Sequence, residues 1–126
     1  MAKANRKGRN KDKFVMLTNG MIDSPAWQSL SANAQALWLH IRRRYLPDNN
    51  GDIPLSCREA AEKLNVGKTT AAAAFDELID KGFIKVGEHS AFHLKIKRAR
   101  RWIMTHEVLD GKAPTNEWRE WGKDKN

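Results

Sequence analysis

Between Ser56 and Lys97 the chain reads SCREAAEKL, NVG, KTTAAAAFDELIDKG, FIKV, GEHS, AFHLKIK. Two Ala-rich stretches with helical spacing are separated only by Asn65-Val66-Gly67, which obliges two short helices to cross at close range. Helices that approach closely need small side chains where their axes meet. Ala60, Ala61 and Leu64 supply one side of that contact, and Ala71, Ala74, Phe75 and Leu78 the other. Asn65 stands at the turn, where a left-handed backbone is often required and Asn tolerates it. Val66 then plugs the corner. Ser56 and Glu59 have the spacing of a capping box, which fixes the start of the first helix. Gly82 stands where the end of the second helix favours a left-handed residue.

Strands follow. Phe83–Val86 is short and apolar, and in Ala91–Lys97 the residues Phe92, Leu94 and Ile96 alternate with His93, Lys95 and Lys97, the period-two pattern of a half-buried strand. Gly87-Glu88-His89-Ser90 is the expected tip between them. Upstream, Ser24-Pro25 has the form of a helix start and opens a short piece carrying Trp27 and Leu30. Ser31 caps a longer helix whose Ala34, Leu37, Trp38, Ile41 and Tyr45 share one face. Arg42, Arg43 and Arg44 fall in its last turn. Two roles are open to them, complementing the helix dipole or touching phosphates. Pro47 to Gly51 is turn chemistry, and Ile53-Pro54-Leu55 has room only for a small strand. Phe14, Val15 and Leu17 are expected to begin the folded part as a strand or strap. Trp102-Ile103-Met104 can extend the sheet, and Thr115 is the expected cap of a last short helix holding Trp118 and Trp121.

Small-residue crossing, left-handed turn and Gly-punctuated strands occur in the order seen in bacterial winged helix-turn-helix domains, which residues 24–98 resemble; LIDKGFIKV is similar to that family's passage from second helix into wing. The resemblance implies an α+β fold: a winged helix-turn-helix with a helical core, a small antiparallel β-hairpin wing and a short C-terminal extension. It divides the chain into a disordered basic arm (1–13), the domain (14–105) and the extension (106–126). It also implies double-stranded DNA as partner, with Lys68–Lys81 as recognition helix in the major groove. On that helix Lys68, Thr69, Thr70, Ala73 and Asp76 face away from the apolar stripe, with Ala72 and Ala73 keeping it slim. Ser56 and Arg58, at the start of the first helix, are the expected phosphate contacts. Lys85, His89, His93, Lys95 and Lys97 belong to the wing, and Arg6, Lys7, Arg9, Lys11 and Lys13 to the arm.

Charge points the same way. Of a formal net charge of +8, residues 1–13 carry +5 (Lys3, Arg6, Lys7, Arg9, Lys11 and Lys13 against Asp12). Residues 95–101 carry another +5 (Lys95, Lys97, Arg98, Arg100 and Arg101), leaving −2 for the rest. Two basic blocks on a near-neutral body form the electrostatic footprint of a polyanion-binding protein. The recognition face itself holds no Arg, Asn or Gln, so specificity is expected to lean on the arm, the wing or DNA shape. Lys7-Gly8-Arg9 resembles the core of an AT-hook, but Asn10 stands where that motif has Pro.

Other chemistries find little support. Val66-Gly67-Lys68-Thr69-Thr70 looks like the end of a phosphate-binding P-loop, yet Glu62 occupies the position of its first glycine. His89, His93, His40, His106 and Cys57 lack the spacing of a zinc site. No carboxylate pair or nucleophile–base arrangement is discernible, so no catalytic residue, metal or cofactor is expected. Cys57 is the single cysteine, which excludes an internal disulfide framework and fits a reducing cytoplasm. No membrane-spanning pattern is present. The expected function is sequence-specific transcriptional regulation, of the kind found in phages, plasmids and integrative elements. The alternatives are a replication or excision accessory factor and a winged helix that binds a protein, such as a polymerase or replication partner. Trp118 and Trp121 either fold back on the domain or anchor a homodimer.

Overall fold

A computed structural model of the chain describes residues 13–87 and 101–123. Their architecture is α+β, with five α-helices and one small antiparallel sheet. In order they are α1 (Asn19–Ile22), α2 (Pro25–Gln28), α3 (Ala32–Arg44), β1 (Ile53–Pro54), α4 (Cys57–Leu64), α5 (Lys68–Asp80), β2 (Ile84–Val86) and β3 (Arg101–Met104), followed by a 3₁₀ turn at Glu117–Arg119. Among the described residues no helix is long and apolar enough to cross a membrane.

Side-chain caps set most helix starts. The hydroxyls of Ser24, Ser31 and Ser56 accept from the backbone N–H of Trp27, Ala34 and Glu59, as the sequence predicts. Each such cap contributes about 1 kcal/mol. Thr18 does the same for Met21 and starts α1, a helix the periodicity does not reveal because it is a single turn. Residues 13–18 form no strand, and Phe14 is 80% exposed. Only Val15 and Leu17 of that segment pack on the core.

The core is a chain of rings. Trp27 of α2 meets Trp38 of α3 edge-on at 5.6 Å and Phe83 edge-on at 5.7 Å, and Phe83 stacks on Trp118 at 6.0 Å. Aromatic pairs in these geometries add about 0.5–1.5 kcal/mol beyond the area they bury. Trp118 is thereby part of the same core as α2 and α3, so residues 106–123 are continuous with the body of the domain. Trp121 packs at the edge. Their turn starts from Asn116 in the left-handed region rather than from a Thr115 cap. Thr115 turns its hydroxyl to Glu117 instead.

The sheet takes in Trp102-Ile103-Met104, the stretch that the sequence offers as its extension. The order is β1-β3-β2, with Ile84 opposite Met104, Val86 opposite Trp102, and Ile53 opposite Trp102 on the other side. Arg101–Met104 is the centre of the sheet because its alternation is carried by large side chains: Trp102 and Met104 are buried while Arg101 and Ile103 are half-buried. The Gly87 N–H extends the ladder to the Arg101 carbonyl. Ala91–Lys97 lies outside the described residues. Gly87 packs so tightly that a Cβ there would collide with the Gly51 carbonyl.

Candidate nucleic-acid interface

The turn between α4 and α5 forms as its residues require. Asn65 adopts φ 58°, ψ 48°, the left-handed region, and the Val66 N–H reaches back to the Ala61 carbonyl at 3.0 Å. That backward bond satisfies carbonyls which the end of α4 would otherwise leave open. Val66 packs against the core. Ala60 and Ala61 are buried on α4, and Ala71, Ala74, Phe75 and Leu78 on α5. Cys57 adds a thiol donor to the Lys68 carbonyl at 3.4 Å, tying the two helix starts together.

The opposite face of α5 is open. Lys68, Thr69, Thr70, Ala72, Ala73 and Asp76 are all exposed, and Gly67 caps the helix without a side-chain hydrogen bond. The first-turn N–H groups of α5 therefore have no side-chain acceptor, and they carry the positive end of the helix dipole.

Three interactions with no periodic signature hold this pair of helices in place. Glu77 accepts from the Ser31 N–H at 2.8 Å and the Ser31 hydroxyl at 2.6 Å, fastening α5 to the start of α3. Arg44 donates to the Pro54 carbonyl and to Glu59 Oε2, both at 3.0 Å, fastening α4 to the end of α3. The Arg44 hydrogen bond, followed by that from the Ser56 backbone, holds the Glu59 carboxyl below its ordinary value. The indole N–H of Trp102 donates to the Leu55 carbonyl at 2.9 Å, joining β3 to the approach to α4. Such partners are distant in sequence, so only the assembled fold brings them into view.

The expected site residues divide accordingly. Arg58 is exposed at the start of α4, but the Ser56 hydroxyl is engaged in the capping box with Glu59. Lys85 pairs with Glu117 at 2.6 Å, so its charge is matched within the fold. Of the Arg42–Arg44 triplet, Arg42 lies over the Tyr45 ring and 3.5 Å from Glu107, and Arg44 is engaged as above. Arg43 is exposed. Lys13 is exposed at the first described position. His89, His93, Lys95 and Lys97 of the wing, and Arg6, Lys7, Arg9 and Lys11 of the arm, lie outside the described residues. Among the described residues no three His, Cys, Asp or Glu side chains converge as a metal site would require.

No protein-family model, curated protein or solved structure matches this chain.

Proposed function

We propose that this protein binds double-stranded DNA through α5, as a winged helix-turn-helix regulator of transcription. The observation that carries the proposal is the two-faced build of α5. One face is buried on α3, α4 and β3, while the other is exposed along Lys68, Thr69, Thr70, Ala73 and Asp76 with side chains short enough for a groove to close on it. Thr hydroxyls can bond base edges or phosphates, and Thr and Ala methyls can meet a thymine methyl.

The element order supports the same reading. A helix, a short strand, two crossed helices and then two strands, with the last strand central in the sheet, is an order compatible with a winged helix. The expected wing residues His89, His93, Lys95 and Lys97 fall in the stretch of chain between β2 and β3, outside the described residues.

Electrostatics assigns the affinity to the flanks. The open faces of α4 and α5 carry Arg58, Lys63 and Lys68 against Glu62, Asp76 and Asp80, which cancel. The basic arm and the basic run 95–101 supply the excess positive charge. The homodimer reading loses one anchor, because Trp118 is buried in the core of its own chain.

Selection of bound sequences from a random duplex pool, with the affinity of the winners measured against salt, tests the proposal. Engagement of about six phosphates gives a log–log salt slope of roughly −5. An enriched motif with that slope is expected. Binding without enrichment would leave an architectural or replication role, and absence of salt-dependent duplex binding would overturn the assignment.

A further inference from the structure

Two grooves flank the turn that follows α3, and they differ in charge. The first, of about 200 Å³, lies where residues 13–15 pass the end of α3, and Lys13, Phe14, Arg43 and Leu46 are in its lining. The second, of about 240 Å³, is lined by Asp48, Val108 and Asp110 together with Pro47, Asn50 and Gly111. Leu46 of the first and Pro47 of the second are consecutive in the chain. Tyr45, also in the first, donates its hydroxyl to Glu107 at 3.2 Å, just ahead of Val108 in the second. The basic groove and the acidic groove therefore share a border.

Both leave apolar side chains in water. Phe14 is 80% exposed, Leu46 56% and Val108 50%. Apolar groups standing singly on a surface are ordinary, but several around one turn, rimmed by charge, mark an association surface. The charges are open too. Lys13, Arg43, Asp48 and Asp110 are all exposed, and none has an ion-pair partner among the described residues. By contrast, the neighbouring Arg42 is matched to Glu107 and Arg44 to Glu59.

The presence of both signs on one surface decides the occupant. DNA or an acidic peptide lying over Lys13 and Arg43 would meet Asp48 and Asp110 as like charges. A second copy of the chain meets neither objection, because a two-fold axis sets each groove against the opposite groove of its partner. Such a surface is complementary to itself.

We propose that this face pairs two copies of the chain. Phe14 and Leu46 of each pack around the two-fold axis, while Lys13 and Arg43 of one reach Asp48 and Asp110 of the other. The surface is distinct from the Trp121 edge. A two-fold dimer presents two α5 helices, so a motif read by it is an inverted repeat. The association itself needs no duplex, and it stands or falls separately from duplex binding.

Sedimentation equilibrium of the full chain, freed of nucleic acid, tests the proposal from roughly 1 µM to 1 mM, beside thermal unfolding of each variant. A monomer–dimer equilibrium is expected. Phe14→Ser and Leu46→Ser are exposed changes that should leave unfolding in place. Each should weaken the dimer about a hundredfold, since the symmetry counts a tenfold anchor twice. Charge exchange identifies the partner. Arg43→Glu and Asp48→Lys should each weaken self-association about tenfold or more by setting like charges together. An equimolar mixture of the two should restore a 1:1 dimer, because the exchanged charges then attract and the other contact is native. A wild-type chain that stays monomeric throughout would overturn the proposal and leave the face to another partner. A dimer indifferent to Phe14→Ser and Leu46→Ser, or a mixture no tighter than its components, would overturn it as well.

Discussion

Phe75 of α5 and Trp102 of β3 stack face to face, their ring centroids 4.6 Å apart and their planes 10° from parallel. This contact sets α5 against the centre of the sheet. Trp102 is 1% exposed, and its indole N–H also holds the Leu55 carbonyl ahead of α4. One side chain therefore references both helices of the pair to the same strand.

Replacing Trp102 should be costly in proportion to what is removed. Trp102→Ala loses the stack and leaves a cavity, a class of change worth about 3–5 kcal/mol. Trp102→Phe keeps much of the packing but leaves the Leu55 carbonyl without its donor, at about 1–3 kcal/mol. Denaturant unfolding of the two variants checks the order. Equal stability of wild type and Trp102→Ala would mean that β3 does not brace α5.

Gly82 should be irreplaceable for two separate reasons. Its φ of +85° is the left-handed region, and a Cβ there would stand 2.7 Å from backbone atoms of Glu117 and Trp118. The corner is fastened further by the Thr105 hydroxyl, which donates to the Gly82 carbonyl at 2.6 Å. Gly82→Ala is expected to destabilise by more than about 1 kcal/mol, seen as a drop of several degrees in Tm. Gly111→Ala is the control for positive φ alone, since Gly111 has open space around it, and it should cost less. Equal losses in the two variants would remove the role given to the Glu117–Trp118 contact.

The local signals were the legible ones. Ser24, Ser31 and Ser56 as caps, Asn65 and Gly82 as left-handed residues, and the buried faces of α3 and α5 are all specified within a few residues of chain. The place of Arg101–Met104 was legible only in part: Trp102-Ile103-Met104 reads as an extension of the sheet, but its position between β1 and β2 depends on the fit of Trp102 against Phe75 and Leu55. The Arg42–Arg44 triplet was likewise ambiguous. Its separation into a partner of Glu107, an exposed residue and a helix tie depends on Glu107 and Glu59, which are distant in sequence. Asn50 looked like ordinary turn chemistry, yet its side chain accepts from the Met104 N–H at 2.7 Å and donates to the Met104 carbonyl at 3.1 Å, pinning the turn to β3.

Stability should fall with acid in two stages. Burial, opposed by Glu107 and assisted by Arg42, lowers the His106 pKa from its ordinary 6.5. The unfolded chain then binds more protons than the native one between the lowered value and 6.5, so stability is full above that interval and declines as pH falls through it. Glu59, held below its ordinary 4.5, acts lower. Its contribution is complete above 4.5 and is lost as pH falls through the native value. A thermal-unfolding series against pH should show both declines, and His106→Gln should abolish only the upper one. Flat stability from neutral pH down to 4.5 would contradict a buried neutral imidazole.

Base reading and phosphate contact should separate by mutation. Thr69→Ala and Thr70→Ala are expected to narrow the gap between selected and random duplex, because their hydroxyls face the proposed groove. Lys95→Ala should weaken both duplexes about equally and reduce the salt slope by about 1. Competition binding with the two duplexes reads both effects, and the reverse pattern would exchange the assigned roles.

The most direct test of α5 as the DNA-facing element is Ala73→Glu in the full chain, measured by fluorescence anisotropy on a selected duplex beside thermal unfolding. Ala73 is exposed on the open face and lies outside the core, so Tm should stay close to that of wild type. A carboxylate thrust at the bases and phosphates should abolish selective binding and leave only weak, salt-sensitive association through the basic flanks. Undiminished selective binding by a folded Ala73→Glu protein would contradict the placement of α5 in the groove.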